Sequence, residues 1–362
     1  MNPESVFFQS RLQKLRSQFD AMRIDAFLIT FQPHLRYMSG FSGSAGVGIV
    51  TQDKIFLITD GRYATQVRQE TNGWKIFITQ GELFVELKKR QLLHSVGRVG
   101  FDGNSLMFGQ FQQLKELFPI IKFLPKVDCI EKIAAVKDLS EIQKIKKAVE
   151  ITDKVFTEIL SFFKPGVREI DIAAEISYRH LKHGASGDGF SAIVVSGDRG
   201  AIPHGKPSDK KFKNGELITI DMGCIYQGYH SDMTRTIALG KPKSEAKKIY
   251  QIVLNAQQYA IEAAREGMKT KEIDATARNY IKEKGYEKYF RHSLGHGIGL
   301  QIHEQPRLSV LSKATLETGN VVTIEPGIYI PNFGGVRIED DIVVTDGHCE
   351  ILNTSPKELL IL

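Results

Sequence analysis

Two segments of the chain place pairs of carboxylates inside apolar strand patterns. The first, ELITIDMGCIYQGYHSDMTRTI (residues 216–237), reads as a strand, a turn at Gln227-Gly228 and a returning strand. A two-residue turn there sets Tyr226 across from Tyr229 and Gly223 across from Asp232. Side chains alternate along a strand, so Asp221, Gly223 and Asp232 share a face. Asp221 and Asp232 are then diagonal neighbours, with the glycine leaving open space between them. The second segment, VVTIEPGIYIPNFGGVRIEDDIVVT (321–345), repeats the device. With 331–335 as the loop, Ile330 faces Val336, Gly327 faces Glu339, and Glu325 becomes the diagonal neighbour of Glu339. Pro326 makes this second ladder less regular. Four acids so arranged repel one another unless a cation lies among them.

The third element is RHSLGHGIGLQIHEQP (291–306), with His292, His296 and His303. A helix would put His292 and His296 on one side, but Gly295, Gly297 and Gly299 argue for extended chain with close backbone approaches. Four carboxylates plus one or more imidazoles form a donor set for two divalent ions such as manganese, cobalt, iron or zinc. Two ions about 3.5–4 Å apart can lower the pKa of a water between them and hold both oxygens of a tetrahedral intermediate. His230 falls on the Asp232 face and is read as a bystander. Cys224, on the opposite face, is read as a small packed residue, and His180, His183 and His348 as surface residues.

These residues need strands to position them. Residues 191–196, 216–225, 229–237, 321–330 and 336–344 carry strand patterns, and helical patterns run over about 140–162, 169–183, 243–265 and 271–284. Helices and hairpins in blocks indicate an α+β domain. Upstream, a helical stripe (5–22), strands at 26–30, 46–51, 54–60 and 75–79, and a helix at 83–93 alternate as in an α/β domain. The pattern breaks over 124–140, where Asp138 and Ser140 suit a helix start, and the boundary is placed at 132/133. GFSGSAGVG (40–48) lacks the Lys-Ser/Thr of a phosphate loop and reads as a turn feeding a strand.

Composition narrows the function classes. With 362 residues, 42% hydrophobic and 25% charged, the chain is globular rather than disordered or fibrous. The net charge of +6 is spread in short clusters, which disfavours a nucleic-acid partner. No run reaches the ~18 apolar residues of a membrane span, and MNPESVFFQSRLQKLRSQF has no leader-type apolar core. Three scattered cysteines, Cys129, Cys224 and Cys349, form no disulfide framework, so a cytoplasmic location is expected.

The ordered set of acids and histidine resembles the pita-bread metallopeptidases, within them the proline-specific branch of Xaa-Pro aminopeptidases (aminopeptidase P) and prolidases, over nearly the whole chain. The resemblance implies a creatinase-type α/β amino-terminal domain (1–132) and an α+β pita-bread catalytic domain (133–362). GFSGSAGVGIV followed by LITDGRY carries the first part. It implies five metal ligands: Asp221 on one ion, His296 and Glu325 on the other, and Asp232 and Glu339 bridging both. The cofactor implied is two divalent ions per chain, manganese first, with cobalt or zinc as alternatives. His204, in AIPHGKPSD, together with His292 and His303 would face substrate; Glu325 would also move a proton, and Arg337 would orient the acids. The activity implied is removal of the first residue from peptides with proline second; the alternative is an Xaa-Pro dipeptidase (prolidase). The remote alternative is a non-enzymatic pita-bread binding protein, disfavoured because no ligand is lost. A homodimer acting on peptide, with no nucleic acid and no membrane, is the partner expectation.

Overall fold

A computed structural model describes residues 4–362, so the first three residues of the stretch read for a leader fall outside it. The chain divides into two compact units, one running to Ala134 and one from Ala135 to Leu362.

The first unit contains α1 (Glu4–Arg16), α2 (Phe19–Met22), α3 (Gln32–Ser39), α4 (Gln66–Glu70), α5 (Leu83–Lys89), α6 (Phe108–Leu117) and α7 (Cys129–Ala135). Its strands are β1 (Ala26–Ile29), β2 (Val47–Thr51), β3 (Ile55–Asp60), β4 (Lys75–Thr79), β5 (Arg98–Asp102) and β6 (Lys122–Lys126). They form one mixed sheet in the order β4-β3-β2-β1-β5-β6. Leu28, Ile49 and Val99 from the sheet meet Leu87 of α5 and Leu114 of α6 in the core. The helical stripe expected over 5–22 is interrupted after Arg16 and ends at Arg23, whose φ of 55° is left-handed. The glycine-rich run closes α3 at Gly40 (φ 83°) and feeds β2.

The second unit contains α8 (Leu139–Ile159), α9 (Glu169–Lys182), α10 (Ser244–Ala263) and α11 (Thr270–Glu283). Its strands are β7 (Gly187–Asp188), β8 (Ile193–Ser196), β9 (Glu216–Met222), β10 (Cys224–Tyr226), β11 (Tyr229–His230), β12 (Met233–Leu239), β13 (Gly295–Gly297), β14 (Glu304–Leu308), β15 (Val321–Ile324), β16 (Gly327–Ile330), β17 (Gly334–Arg337), β18 (Asp340–Val344) and β19 (Cys349–Ile351). Asp138 caps α8, accepting from the Ser140 and Glu141 amides at 3.0 and 3.1 Å, while Glu141 returns a bond to the Asp138 amide. Sheet β12-β9-β8 packs its apolar residues, including Ile218 and Ile237, against Val155 and Ile159 of α8 and Ile176 of α9. Sheet β14-β13-β15-β18-β19 and hairpin β16-β17 pack likewise on Ile249, Val253 and Ala260 of α10 and Ile273 of α11.

Both acid-bearing hairpins are split. In the first, Tyr226 pairs with Tyr229 and Met222 with Met233, so the two-residue turn and its register stand as the sequence pattern indicates. Gln227 and Gly228 both have positive φ, 49° and 91°, as a type I′ turn requires. Gly223 sits in the gap, but it does not leave open space. A Cβ there would lie 1.9 Å from the Ser231 carbonyl oxygen, so the glycine admits the neighbouring backbone.

The second hairpin differs from the sequence expectation. Ile330 pairs with Gly334 rather than Val336, and Gly327 with Arg337 rather than Glu339. Asn332 (φ 61°) and Gly334 (φ 136°) adopt left-handed backbone and close the loop two residues early. Ile324 pairs with Asp340 across the split, which places Glu325 directly opposite Glu339 rather than diagonally.

Gly223→Ala is expected to lower stability by about 1–3 kcal/mol, because the added methyl meets backbone that has no rotamer to yield. Gly109→Ala, where a Cβ meets nothing within 4 Å, should stay within about 0.5 kcal/mol of wild type. Denaturant midpoints of the two variants measure the contrast.

Candidate metal centre

Asp221 is the next-to-last residue of β9 and Asp232 precedes β12; Glu325 follows β15 and Glu339 precedes β18. Asp232, Glu325 and Glu339 therefore stand where their ladders break, while Asp221 is still paired with Ile193 and Thr234, and the strands around them are largely buried on both faces. His296, the middle residue of β13, joins them. One donor atom from each of Asp232, His296 and Glu339 lies within 4.8 Å of the other two. His296 Nε2 is 3.6 Å from Asp232 Oδ2 and 3.6 Å from Glu325 Oε1. Its Nδ1 meets the Gly297 carbonyl at 3.1 Å, and a carbonyl only accepts, so Nδ1 carries the hydrogen and Nε2 turns its lone pair toward the acids. The glycines on either side bring backbone into contact: a Cβ at Gly295 would fall 1.9 Å from Thr323 O, and one at Gly297 would fall 2.2 Å from Gln305 O.

Arg337 is buried and its side chain donates four hydrogen bonds within the site. Its Nη2 donates to Asp221 Oδ2 at 2.6 Å, Nε to Thr234 Oγ1 at 2.9 Å, and Nη1 to Tyr329 Oη at 2.9 Å and Pro203 O at 3.2 Å. Thr234 passes the order on, donating to Glu339 Oε2 at 2.6 Å. Tyr329 went unnoticed in the sequence, although it lies two residues after Gly327 on the same strand. The missing Cβ of Gly327 is what admits its hydroxyl, which would otherwise be 2.4 Å away. That hydroxyl accepts from Arg337 and donates to His292 Nε2 at 2.9 Å. His292 Nδ1 meets Ser293 O at 2.8 Å, so both of its ring nitrogens are taken, and burial followed by the Arg337 charge pushes it down to about 3.

His303 and His204 are solvent-facing. The His303 ring stands edge-on to His296, with centroids 4.3 Å apart, and its pKa is lowered first by burial and then by Arg307 and His204. The His204 loop is held by Glu169, another residue the sequence pattern did not signal. This fully buried carboxylate accepts from the Ser196 amide and hydroxyl (2.9 Å each), the Ser208 hydroxyl (2.7 Å) and amide (3.2 Å), and Arg199 Nε (3.1 Å). His230 donates its amide to Gly299 O and is buried. His180, expected at the surface, is fully buried instead, with Nδ1 2.7 Å from Asp188 Oδ1; its partner lies on a neighbouring strand that helix spacing does not reveal.

The acids are left unresolved by the protein alone. Asp221 Oδ1, Asp232 Oδ1 and Glu339 Oε1 are buried without a hydrogen-bond partner. Asp341, also missed in the sequence, accepts from the Asp232 amide at 2.9 Å and leaves Oδ1 unpartnered. A buried orphan acceptor costs about 1–3 kcal/mol. Burial first, then the neighbouring acids, push Asp232 and Glu325 well above the carboxylate range and Glu339 up to about 8. Buried orphan oxygens, mutually raised carboxyls and a neutral imidazole aimed among them fit divalent cations of the borderline class.

Residues 143–346 match the model of metallopeptidase family M24, and residues 11–136 that of the creatinase/prolidase amino-terminal domain. A solved Xaa-Pro dipeptidase from Bacillus anthracis is 43% identical, with a TM-score of 0.96, covering 98% of this chain and 100% of that one. An X-Pro aminopeptidase structure from Thermotoga maritima is 38% identical with a TM-score of 0.89, over 96% and 100% of the two chains. A curated Xaa-Pro dipeptidase from Pyrococcus horikoshii is 40% identical over 97% of this chain and 98% of its own. The chain belongs to metallopeptidase family M24, with a creatinase-type amino-terminal domain and a pita-bread catalytic domain, and it is a hydrolase of the divalent-metal class. Among the described residues no helix is long and apolar enough to cross a membrane.

The raised carboxyls set a pH dependence. Glu339 binds its proton more tightly folded than unfolded, so its contribution is full below its ordinary value of 4.5 and is lost as pH rises through about 8. Asp232 and Glu325 act in the same sense. Protein stripped with a chelator should therefore lose thermal stability across that window. Manganese added at the upper end should restore it, as thermal unfolding with and without the ion will show.

Proposed function

We propose that the chain hydrolyses the Xaa-Pro bond of dipeptides, using two divalent ions held by Asp221, Asp232, His296, Glu325 and Glu339. This reverses the order of the two sequence expectations, which put the longer-peptide aminopeptidase first. The observation that carries the choice is Arg307, on β14 four residues after His303. Its guanidinium faces solvent and makes no hydrogen bond or ion pair among the described residues, yet its charge bears on both His303 and His296. A cation at the mouth of the centre suits the free carboxylate of a carboxy-terminal proline, which a longer peptide does not present there. The names of the relatives, dipeptidase more often than aminopeptidase, support the same reading.

The ions, manganese first among them, would supply Lewis acidity that activates water and polarises the scissile carbonyl. The remaining work falls to side chains. Glu325, beside His296 in the cluster, would take the proton from the attacking water on a carboxylate oxygen and deliver it to the leaving proline nitrogen. His303 and His204 line the substrate side, where a ring N–H can donate to oxygen as charge develops. His292 has no free donor, and it acts by fixing Tyr329 and, through it, Arg337. Arg337 holds Asp221 and keeps Thr234 aimed at Glu339. Proline offers no N–H, so its ring and fixed φ must be recognised by shape.

Ala-Pro and Gly-Pro should be cleaved with kcat/KM at least about tenfold above Ala-Pro-amide and Xaa-Pro-Pro-Xaa peptides, a difference of about 1.4 kcal/mol. Arg307→Met should raise KM for the dipeptides by a similar factor and leave the amide unchanged. Equal or better cleavage of the longer peptides by wild type returns the assignment to the aminopeptidase.

A further inference from the structure

The amino-terminal unit contains a second cluster of metal-type donors that the peptidase reading does not use. His34 is the third residue of α3, Asp102 the last of β5 and Glu131 the third of α7. One donor atom from each lies within 4.8 Å of the other two. The His34 and Asp102 side chains are 5% and 7% exposed, and Glu131 is 20% exposed. The Phe31 ring, edge-on at 4.9 Å, fixes the imidazole.

The obvious use of such a group is an ion pair with a protonated histidine, and the distances argue against it. Charge-assisted N–H···O bonds close to about 2.7–2.9 Å. Elsewhere in this chain the histidine–carboxylate pairs do close: His180–Asp188 at 2.7 Å and His183–Glu158 at 2.9 Å. His34 stands off, with Nδ1 3.3 Å from Asp102 Oδ2 and Nε2 4.0 Å from Glu131 Oε1. Its buried Nδ1 satisfies no hydrogen bond. The other histidine whose acids stand off is His296, whose single Nε2 is 3.6 Å from each of its two acids; His34 instead turns a different nitrogen to each acid, so an ion would take only one of them. Donors around one ion with bonds of about 2.0–2.2 Å stand roughly 3–3.5 Å apart, as His34 Nδ1 and Asp102 Oδ2 do, and Glu131 would close in to share that ion.

We propose that His34, Asp102 and Glu131 bind a third divalent cation of the borderline class, zinc being the best match to one imidazole and two carboxylates. The exposed edge of Glu131 leaves water access to a further coordination position. Bound there, the ion ties α3, β5 and α7 together; it is separate from the catalytic centre, since every donor lies in the first unit.

The test counts zinc by elemental analysis in full-length protein equilibrated with zinc chloride and freed of excess. Because it compares variants, it does not depend on how many ions the catalytic centre holds. His34→Asn should retain one zinc per chain fewer than wild type, with Xaa-Pro turnover unchanged. Glu131→Gln, at the partly exposed edge, should weaken the same zinc at least tenfold and serves if His34→Asn does not fold, which circular dichroism reports. Equal zinc in wild type and the folded variants overturns the proposal. So does loss of zinc accompanied by loss of turnover, because that ion would belong to the catalytic centre.

Discussion

The second unit is organised around acids that have been withdrawn from water beside one another. Asp221, Asp232, Glu339 and Asp341 are buried, and Glu325 nearly so. Two like charges 4 Å apart repel by about 4 kcal/mol at an effective dielectric constant near 20. A handful of such pairs would cancel the roughly 5–15 kcal/mol net stability of a folded protein. Arg337 offsets one of them through Asp221, but the orphan oxygens of Asp221, Asp232 and Glu339 show that the protein does not complete the balance. Either protons or cations must. At neutral pH an enzyme working on an amide bond would benefit from the second solution, because ions held among these acids would both relieve the repulsion and supply the Lewis acidity that activates water.

That arrangement needs rigid support. Glycines at 223, 295 and 297 let strands approach until a single methyl would collide with a carbonyl, so the breaks that expose the acids cannot relax. From Arg337 the order spreads through Thr234 to Glu339, through Tyr329 to His292, and through Pro203 to the loop bearing His204. Glu169 clamps the same loop from α9. The loop bearing His204 is thus held by buried polar networks, while the rings of His204 and His303 remain open to solvent.

Much of this could be read from the residues. The turn chemistry of Gln227-Gly228 fixed the first register, and of the five expected donors Asp232, His296 and Glu339 gather in one cluster, with Glu325 beside His296. The second register could not be read, because a left-handed Asn332 is indistinguishable in sequence from an ordinary loop asparagine. Tyr329, Glu169 and Asp341 escaped notice because each looks like strand or helix filler until its partners, distant in the chain, are brought beside it. Arg307 looked like any surface cation. In the first unit, α3, β5, α6 and β6 were too short or too mixed in polarity to announce a period, and so the grouping of His34 with Asp102 and Glu131 became visible only in the fold. His180 was misjudged for the same reason: burial on a helix face depends on what packs there.

The account stands on the buried acids being a cation site. The direct measurement is anomalous scattering at the manganese edge from crystals of the full-length protein grown with the ion. The account predicts two strong peaks enclosed by Asp221, Asp232, His296, Glu325 and Glu339. Crystals grown in manganese that show no peak among these residues would contradict it.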